Sequence, residues 1–385
     1  MSQETAGTVG SAAFLDMMIG AVAAGRLSDS LGRKRAVVWS TVLFTVATVL
    51  CGVVDGPLWF AVLRFVAGVG LGGLVPSANA LAAGLVPPGR RALAATLMMS
   101  GVPLGGSLAA LVGLGLIPAA PLGVAGWRWM FFLPLVCLVV FVPLTLRFVP
   151  ESLDRRLAAG DVARAEAPRA GFGALLRPDM LLISSLFALA AMGTMFAWYG
   201  LGTELPNLMR LQGAQLGGPL VFALVLNLGA VAGSFLTAWG GDRFGPLVTG
   251  AVGSGLALVG LMVILNTPVT AVGLIHAMLV LCGIGTHGTL ALIIGAATVH
   301  FPDHLRGTAL GWTMGVGRLG AVLAPAVAGQ VLGGHASPVD GVGPVFALFA
   351  GAAAVAAVTQ FALMPLVRRH PGLVWRHGAS PTPAR

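Results

Sequence analysis

The chain has 385 residues, of which 57% are hydrophobic and only 9% are charged. Ordinary soluble domains carry about 25% charged residues, so a soluble fold of this size would lack the polar shell that it needs. Glycine occurs 56 times and 24 prolines interrupt the apolar runs, a pattern that is tolerated where neighbouring membrane helices satisfy the backbone groups that proline frees. The composition excludes a soluble protein and predicts an all-α membrane protein.

The net charge of +9 does not indicate nucleic acid binding, because the basic residues lie in short segments between apolar runs and form no continuous stripe. The three cysteines, Cys51, Cys137 and Cys282, lie far apart inside apolar segments and lack metal-ligand spacing. The sequence contains no phosphate-binding loop and no nucleophile elbow. We therefore predict no enzyme, no cofactor and no nucleic acid partner, and an ion gradient as the energy source.

Eleven apolar stretches are long enough to cross the roughly 30 Å of hydrocarbon in a bilayer. They cover residues 9–26, 36–55, 57–84, 92–114, 129–149, 179–202, 217–240, 246–266, 269–298, 307–331 and 343–367. A polar stretch rich in Ala, Arg and Pro separates the fifth from the sixth. The predicted domains are a five-span bundle (1–149), a cytoplasmic linker (150–178), a six-span bundle (179–367) and a cytoplasmic tail (368–385).

The basic residues predict how the chain is oriented in the membrane. An outer N-terminus places 18 of the 22 Lys and Arg residues on the inner side, and cytoplasmic loops are enriched in these residues. Arg128 and Arg210 fall outside, while Arg64 and Arg318 fall within spans. The distribution predicts a multi-pass protein of the inner or plasma membrane with a cytoplasmic C-terminus.

Two short motifs indicate an internal duplication. Residues 25–33 follow the first span, and residues 240–245 follow the second span after the linker. Each places an acidic residue, a glycine and a basic residue in a tight turn, as expected of structural repeats. If the halves are duplicates, the first lacks one helix, and the chain is expected to hold 11 of 12 transmembrane helices.

The first of these motifs also carries a family resemblance. Residues 25–35 read GRLSDSLGRKR with the acid at Asp29, which resembles the signature between helices two and three of the major facilitator superfamily. The resemblance implies two pseudo-symmetric bundles that give alternating access to a central cavity. It also implies a cytoplasmic gate motif formed by Gly25, Asp29, Gly32, Arg33, Asp242, Arg243 and Gly245.

Further segments resemble the aromatic acid:proton symporters of that superfamily, whose members import benzoate-like or hydroxybenzoate-like acids. They are the glycine-rich run 64–73 with Pro76, the borders 126–129 and 150–152, the segment 198–206, and the run 307–320 with Pro325. The resemblance implies proton-coupled uptake of a small organic, aromatic carboxylate by a monomer in the lipid bilayer. A drug or metabolite exporter, a sugar-type porter and a non-transporting truncated homologue are the alternatives.

Three formal charges lie well inside predicted spans: Asp16, Arg64 and Arg318. A charge at this depth costs about 2.5–3.5 kcal/mol to insert, which indicates a function unless the side chain reaches the interface. Arginine stays charged and its planar fork matches a carboxylate. We predict that Arg318 and Arg64 bind the anion, with proton coupling or internal pairing as other roles for Arg64. Asp16 is predicted to carry the proton if it is buried, and to be idle if it lies at the outer rim.

Four polar or aromatic residues complete the predicted site. His287 is a candidate ligand or proton carrier, although a lone histidine is more often a packing residue. Trp198 and Tyr199 could stack on an aromatic ring or belong to the interfacial aromatic belt. Asn227 could bind the substrate or tie two helices together.

Overall fold

The computed structural model describes residues 14–17, 19–20, 33–86, 91–150, 173, 175, 177–214, 218–301 and 303–369. Within these ranges the chain is almost entirely helical, and nine helices are long and apolar enough to cross a membrane. The prediction of an all-α membrane protein is confirmed. Most of the first predicted span, 9–26, and of the predicted linker lies outside the described residues.

The helices are numbered here in chain order. The N-terminal half contains α1 (Arg33–Cys51), α2 (Pro57–Leu85), α3 (Arg91–Ala119), α4 (Gly126–Met130) and α5 (Val142–Phe148). The C-terminal half contains α6 (Pro178–Leu211), α7 (Gly218–Phe244), α8 (Pro246–Leu265), α9 (Val272–His300), α10 (Asp303–Gly334) and α11 (Val342–Arg369).

The predicted fifth span, 129–149, is not one continuous α-helix. Helix α4 ends at Met130, and a π-helical turn, Cys137–Phe141, leads into α5. Pro134 lies in the turn between these helical segments, and because it has no backbone N–H it cannot extend the hydrogen-bond ladder of an α-helix there. The predicted span is therefore interrupted by a turn, and its apolar helical part is Cys137–Phe148.

The sixth predicted span is too short. Helix α6 continues to Leu211, nine residues beyond the predicted end at 202, and it contains Pro206. Trp198 and Tyr199 therefore lie inside the helix rather than at its end. Trp198 is also buried, with 5% of its surface exposed, which does not fit a residue of the interfacial aromatic belt.

The chain divides into two compact units. The first comprises Met1–Ala167, Gln215–Leu224 and Pro325–Gln330. The second comprises Pro168–Ala214, Val225–Ala324 and Val331–Arg385. Each unit contains residues of the predicted site.

In the second unit, small residues bring α9 close to its neighbours. A methyl group added to Gly283 would lie 2.6 Å from the backbone nitrogen of Ala230 on α7, and one added to Gly285 would lie 2.9 Å from Ala257 on α8. Association of helices in lipid depends on such close packing, because burial of apolar surface from water no longer drives it. These contacts fix the position of α9, which carries His287.

In the first unit, Arg128 ties the loop after α1 to the start of α4. Its guanidinium donates hydrogen bonds to the carbonyl oxygens of Gly52 and Val53, at 3.2 Å and 3.3 Å. It forms a salt bridge with Asp55 and lies 5.0 Å from the centre of the Trp127 ring. Asp55 is 85% exposed whereas Arg128 is 23% exposed, and the hydrogen bond to the Gly52 carbonyl is the partly buried part of this contact.

We expect Arg128→Ala to lower the free energy of unfolding by about 1–3 kcal/mol, because two carbonyl groups lose a charged donor. Asp55→Asn should cost less than about 1 kcal/mol, because an exposed salt bridge contributes little. Unfolding of the purified variants by sodium dodecyl sulfate, followed by circular dichroism, measures both effects. Equal losses for the two variants would show that the exposed ion pair, rather than the carbonyl contacts, stabilises the loop.

Candidate functional site

The second unit brings together two aromatic rings that were predicted separately. The indole of Trp198 on α6 and the imidazole of His287 on α9 have ring centres 4.8 Å apart and planes inclined by 51°. Each side chain is 5% exposed. The pair therefore joins α6 to α9 in the interior of this unit.

Arg318 lies half-buried on α10 and is within electrostatic range of the Tyr199 side chain on α6. It is ten residues past Thr308, where the apolar span of α10 begins. That distance is about 15 Å at 1.5 Å per residue, close to the middle of a hydrocarbon layer of about 30 Å. Arg318 thus lies near the middle of the apolar span of α10.

The glycines around Arg318 explain how α10 approaches α6. A methyl group at Gly320 would collide with the carbonyl oxygen of Met192, and one at Gly317 would lie 2.9 Å from the Cβ of Ala191. The glycine-rich run was noted in the sequence for its resemblance to other transporters. In the structure it lets α10 pack directly on the backbone of α6, the helix that also carries Tyr199.

Trp198 and Tyr199 are adjacent in the sequence, yet their side chains are directed toward different helices. Successive side chains on an α-helix point about 100° apart. The Trp198 ring consequently contacts His287 on α9, while the Tyr199 hydroxyl interacts with Arg318 on α10. One turn of α6 thus connects to both helices.

Arg318 has no acidic partner in the described part of the chain. The one salt bridge between residues that the structure describes joins Arg128 to Asp55. Arginine cannot be neutralised by losing a proton at physiological pH, so its charge at this depth requires compensation from outside those residues. An anionic ligand is one group that supplies it.

In the first unit, two oppositely charged side chains within predicted spans influence each other. Asp16 is 1% exposed, and its carboxyl group fills the space that a methyl group on Gly68 of α2 would occupy. Arg64, one turn earlier on α2, is exposed and interacts electrostatically with Asp16. The backbone N–H of Met17 donates a 2.7 Å hydrogen bond to the same carboxyl group. The interpretation of Asp16 as an idle, solvated rim residue therefore does not fit.

The remaining predicted ligand, Asn227, is half-buried on α7. It lies next to Leu226, whose carbonyl oxygen is against Gly283 of α9. This position beside a helix crossing suits a residue that ties helices together.

The residues of the predicted cytoplasmic gate that the structure describes lie mainly in the second half of the chain. There, α7 ends at Phe244 and Gly245 follows with a φ of +95°, a conformation that strongly favours glycine. Asp242 and Arg243 are exposed, and the Arg243 guanidinium lies 5.8 Å from the centre of the Phe244 ring. Of the first-half residues, Arg33 begins α1, and three lie outside the described residues: Gly25, Asp29 and Gly32.

Sequence reasoning missed a buried polar contact between three helices. Gln360 on α11 is fully buried, and its amide group donates a 3.1 Å hydrogen bond to the Ser254 hydroxyl on α8. The Thr289 hydroxyl on α9 donates to the carbonyl oxygen of Gly250 on α8 at 3.3 Å. A glutamine within an otherwise apolar helix was the available signal, since such residues commonly bond between membrane helices.

Comparisons with known proteins agree with this architecture. The sequence profile of the Major Facilitator Superfamily matches residues 1–325. The gentisate transporter of Corynebacterium glutamicum is 46% identical over 96% of this chain and 81% of its own length. The benzoate transport protein of Acinetobacter baylyi is 31% identical over 85% of this chain and 75% of its own length.

Among solved structures, a D-xylose-proton symporter matches with a TM-score of 0.73 over 96% of this chain and 90% of that one. Its sequence identity is 18%, so this likeness shows the fold alone. The profile match and the curated relatives show more, because they include transporters of aromatic acids. This chain is a multi-pass membrane transporter, not an enzyme, and it belongs to the Major Facilitator Superfamily.

Proposed function

We propose that this protein imports an aromatic carboxylate together with protons by alternating access, with hydroxybenzoates such as gentisate as the first candidates. The observation that carries the proposal is Arg318, a cation at mid-span that has no acidic partner in the described part of the chain. The 46% identical relative is a gentisate transporter, which supports an aromatic acid as the compensating anion. The distribution of basic residues supports a cytoplasmic C-terminus.

In the proposed site, the Arg318 guanidinium binds the substrate carboxylate through two parallel hydrogen bonds. The Tyr199 side chain is within electrostatic range of this charge, and in the proposal its hydroxyl bonds to the carboxylate or to a ring hydroxyl of the substrate. The Trp198 and His287 rings are buried against each other. We therefore assign that pair a supporting role, in which it holds α6 against α9 and fixes the position of Tyr199.

Proton coupling is assigned to Asp16 in the first unit. A buried carboxyl group beside an arginine has two accessible forms, ionised and paired with that charge, or protonated and neutral. Arg64 stabilises the ionised form, and movement of α2 relative to residues 14–17 would change that stabilisation. Binding and release of a proton at Asp16 would then follow the conformational cycle. No described contact specifically favours a drug exporter or a sugar-type porter.

Arg318→Ala should reduce uptake of labelled gentisate by roughly 10- to 100-fold, the loss expected when a charged hydrogen-bonding partner is removed. Arg318→Lys should restore uptake only in part, because lysine keeps the charge but not the planar fork. Uptake is measured in cells with equal amounts of each variant in the membrane. Arg210→Ala is the control, since this exposed arginine at the end of α6 donates a hydrogen bond to the nearby Asn207 side chain.

The same variants test whether the arginine recognises the carboxylate itself. Gentisate and its carboxamide are compared as competitors of uptake by the unmodified protein and by Arg318→Lys. The preference for the acid over the carboxamide should be smaller in Arg318→Lys, because lysine lacks the planar guanidinium group. The preference for gentisate over its carboxamide could instead stay unchanged in Arg318→Lys and in the remaining activity of Arg318→Ala. That result would show that another residue recognises the carboxylate.

Tyr199→Phe and Trp198→Phe should have different effects. Tyr199→Phe removes only the hydroxyl that interacts with Arg318, so it should raise the KM for gentisate several-fold with little change in thermal stability. Trp198→Phe should lower the unfolding temperature and leave KM close to that of the unmodified protein, because the ring contact with His287 shrinks. Reversed effects would show that Trp198, and not Tyr199, contacts the substrate.

Asp16→Asn should abolish accumulation of substrate against its gradient while preserving exchange of labelled for unlabelled substrate. Asparagine resembles the protonated carboxyl group and cannot release a proton, so binding and rocking continue without coupling. Counterflow in proteoliposomes and uptake at two external pH values measure the two activities, with Asp55→Asn as an exposed control. Accumulation that survives with unchanged pH dependence would exclude Asp16, and His287→Gln would be tested next in the same assay.

A further inference from the structure

The end of α11 carries an open groove that the transport proposal does not use. It has a volume of about 450 Å³ and is lined by Phe361, Met364, Pro365, Arg368 and Arg369. The two arginines form the last turn of α11 and close the apolar span Val342–Arg369. The groove therefore combines an apolar floor with a doubly cationic end.

The apolar part of this groove continues along one face of the helix. Val358 is 66% exposed and Phe361 is 69% exposed. Residues three and four apart share a face of an α-helix, so these two side chains, Pro365 and Arg368 lie in one row. The exposed apolar stripe from Val358 to Pro365 is about two turns long, and Arg368 provides a positive charge at its end.

The opposite face of α11 packs in the interior of the second unit. Leu363 and Val367 belong to a buried cluster with Leu175 and Leu247, and Gln360 bonds to Ser254. The outward orientation of Phe361 and the arginines is consequently fixed by packing on the other side of the helix. The row that contains Val358 and Phe361 therefore lies on the outer face of α11.

We propose that this groove binds one anionic phospholipid, with its phosphate at Arg368 and Arg369 and an acyl chain along Phe361 and Val358. Charge complementarity supports this occupant, because α11 contains two arginines and no acidic residue. A free phosphate ion would leave the apolar stripe uncovered. A second copy related by a two-fold axis along the membrane normal would bring its own arginine pair to the same depth, where the like charges repel.

The test measures binding of phosphatidylglycerol and phosphatidylcholine to the purified full chain by native mass spectrometry. Phosphatidylglycerol should bind more tightly, and Arg368→Gln combined with Arg369→Gln should weaken it about fivefold per arginine, on the order of 25-fold for the pair. The control combines Arg147→Gln with Arg210→Gln, which removes two exposed arginines from the last turns of α5 and α6. That control should retain the affinity for phosphatidylglycerol.

A second arm tests the acyl chain. Phe361→Ala should weaken phosphatidylglycerol severalfold without changing any charge, and inorganic phosphate should not displace the lipid. Three results would overturn the proposal. They are equal losses in both double variants, displacement by inorganic phosphate at millimolar concentration, or a dimer that Phe361→Ala dissociates while the lipid affinity stays unchanged.

Discussion

The arrangement of the second unit depends on one permanently charged group inside an apolar helix. Arg318 lies about 15 Å into its span, where a charge costs about 2.5–3.5 kcal/mol to insert. This cost cannot be removed by deprotonation, since arginine keeps its charge in proteins. The neighbouring glycines, Gly317 and Gly320, let α10 pack on α6, whose Tyr199 side chain is within electrostatic range of the charge. A hydroxyl carries no negative charge, so a negative ligand remains the natural complement.

The two units differ in whether the charged side chains within their spans have a partner of opposite charge. In the first unit, the exposed Arg64 interacts with the buried Asp16, so the charge pair is internal and one member can exchange a proton. In the second unit, Arg318 interacts with a neutral oxygen and lacks an acidic partner among the described residues. An internal pair suits a group that changes protonation, whereas an uncompensated cation suits a group that binds an anion. This difference is why we assign proton coupling to Asp16 and substrate recognition to Arg318.

Much of the fold could be predicted from the sequence, because hydrophobic length alone identifies membrane helices. The errors have local causes. The fifth span appeared continuous because hydropathy does not register the missing N–H group of Pro134. Helix α6 appeared too short because its last turns are more polar. Individual site residues were identifiable as charges in apolar runs. Their partners were not, since the rotation of α6 that directs Trp198 to α9 and Tyr199 to α10 depends on packing between helices.

The likeness to a D-xylose-proton symporter shows how a shared fold can leave the substrate open. A neutral sugar in the second unit would offer hydroxyl groups to Arg318, and the guanidinium would keep an uncompensated charge at mid-span. A carboxylate cancels that charge and matches its hydrogen-bond geometry. If Arg318 faces the substrate, as we propose, its cation would favour an anion over a neutral substrate, a distinction that the fold alone does not make. The aromatic-acid relatives, identified from sequence alone, are the independent support for that choice.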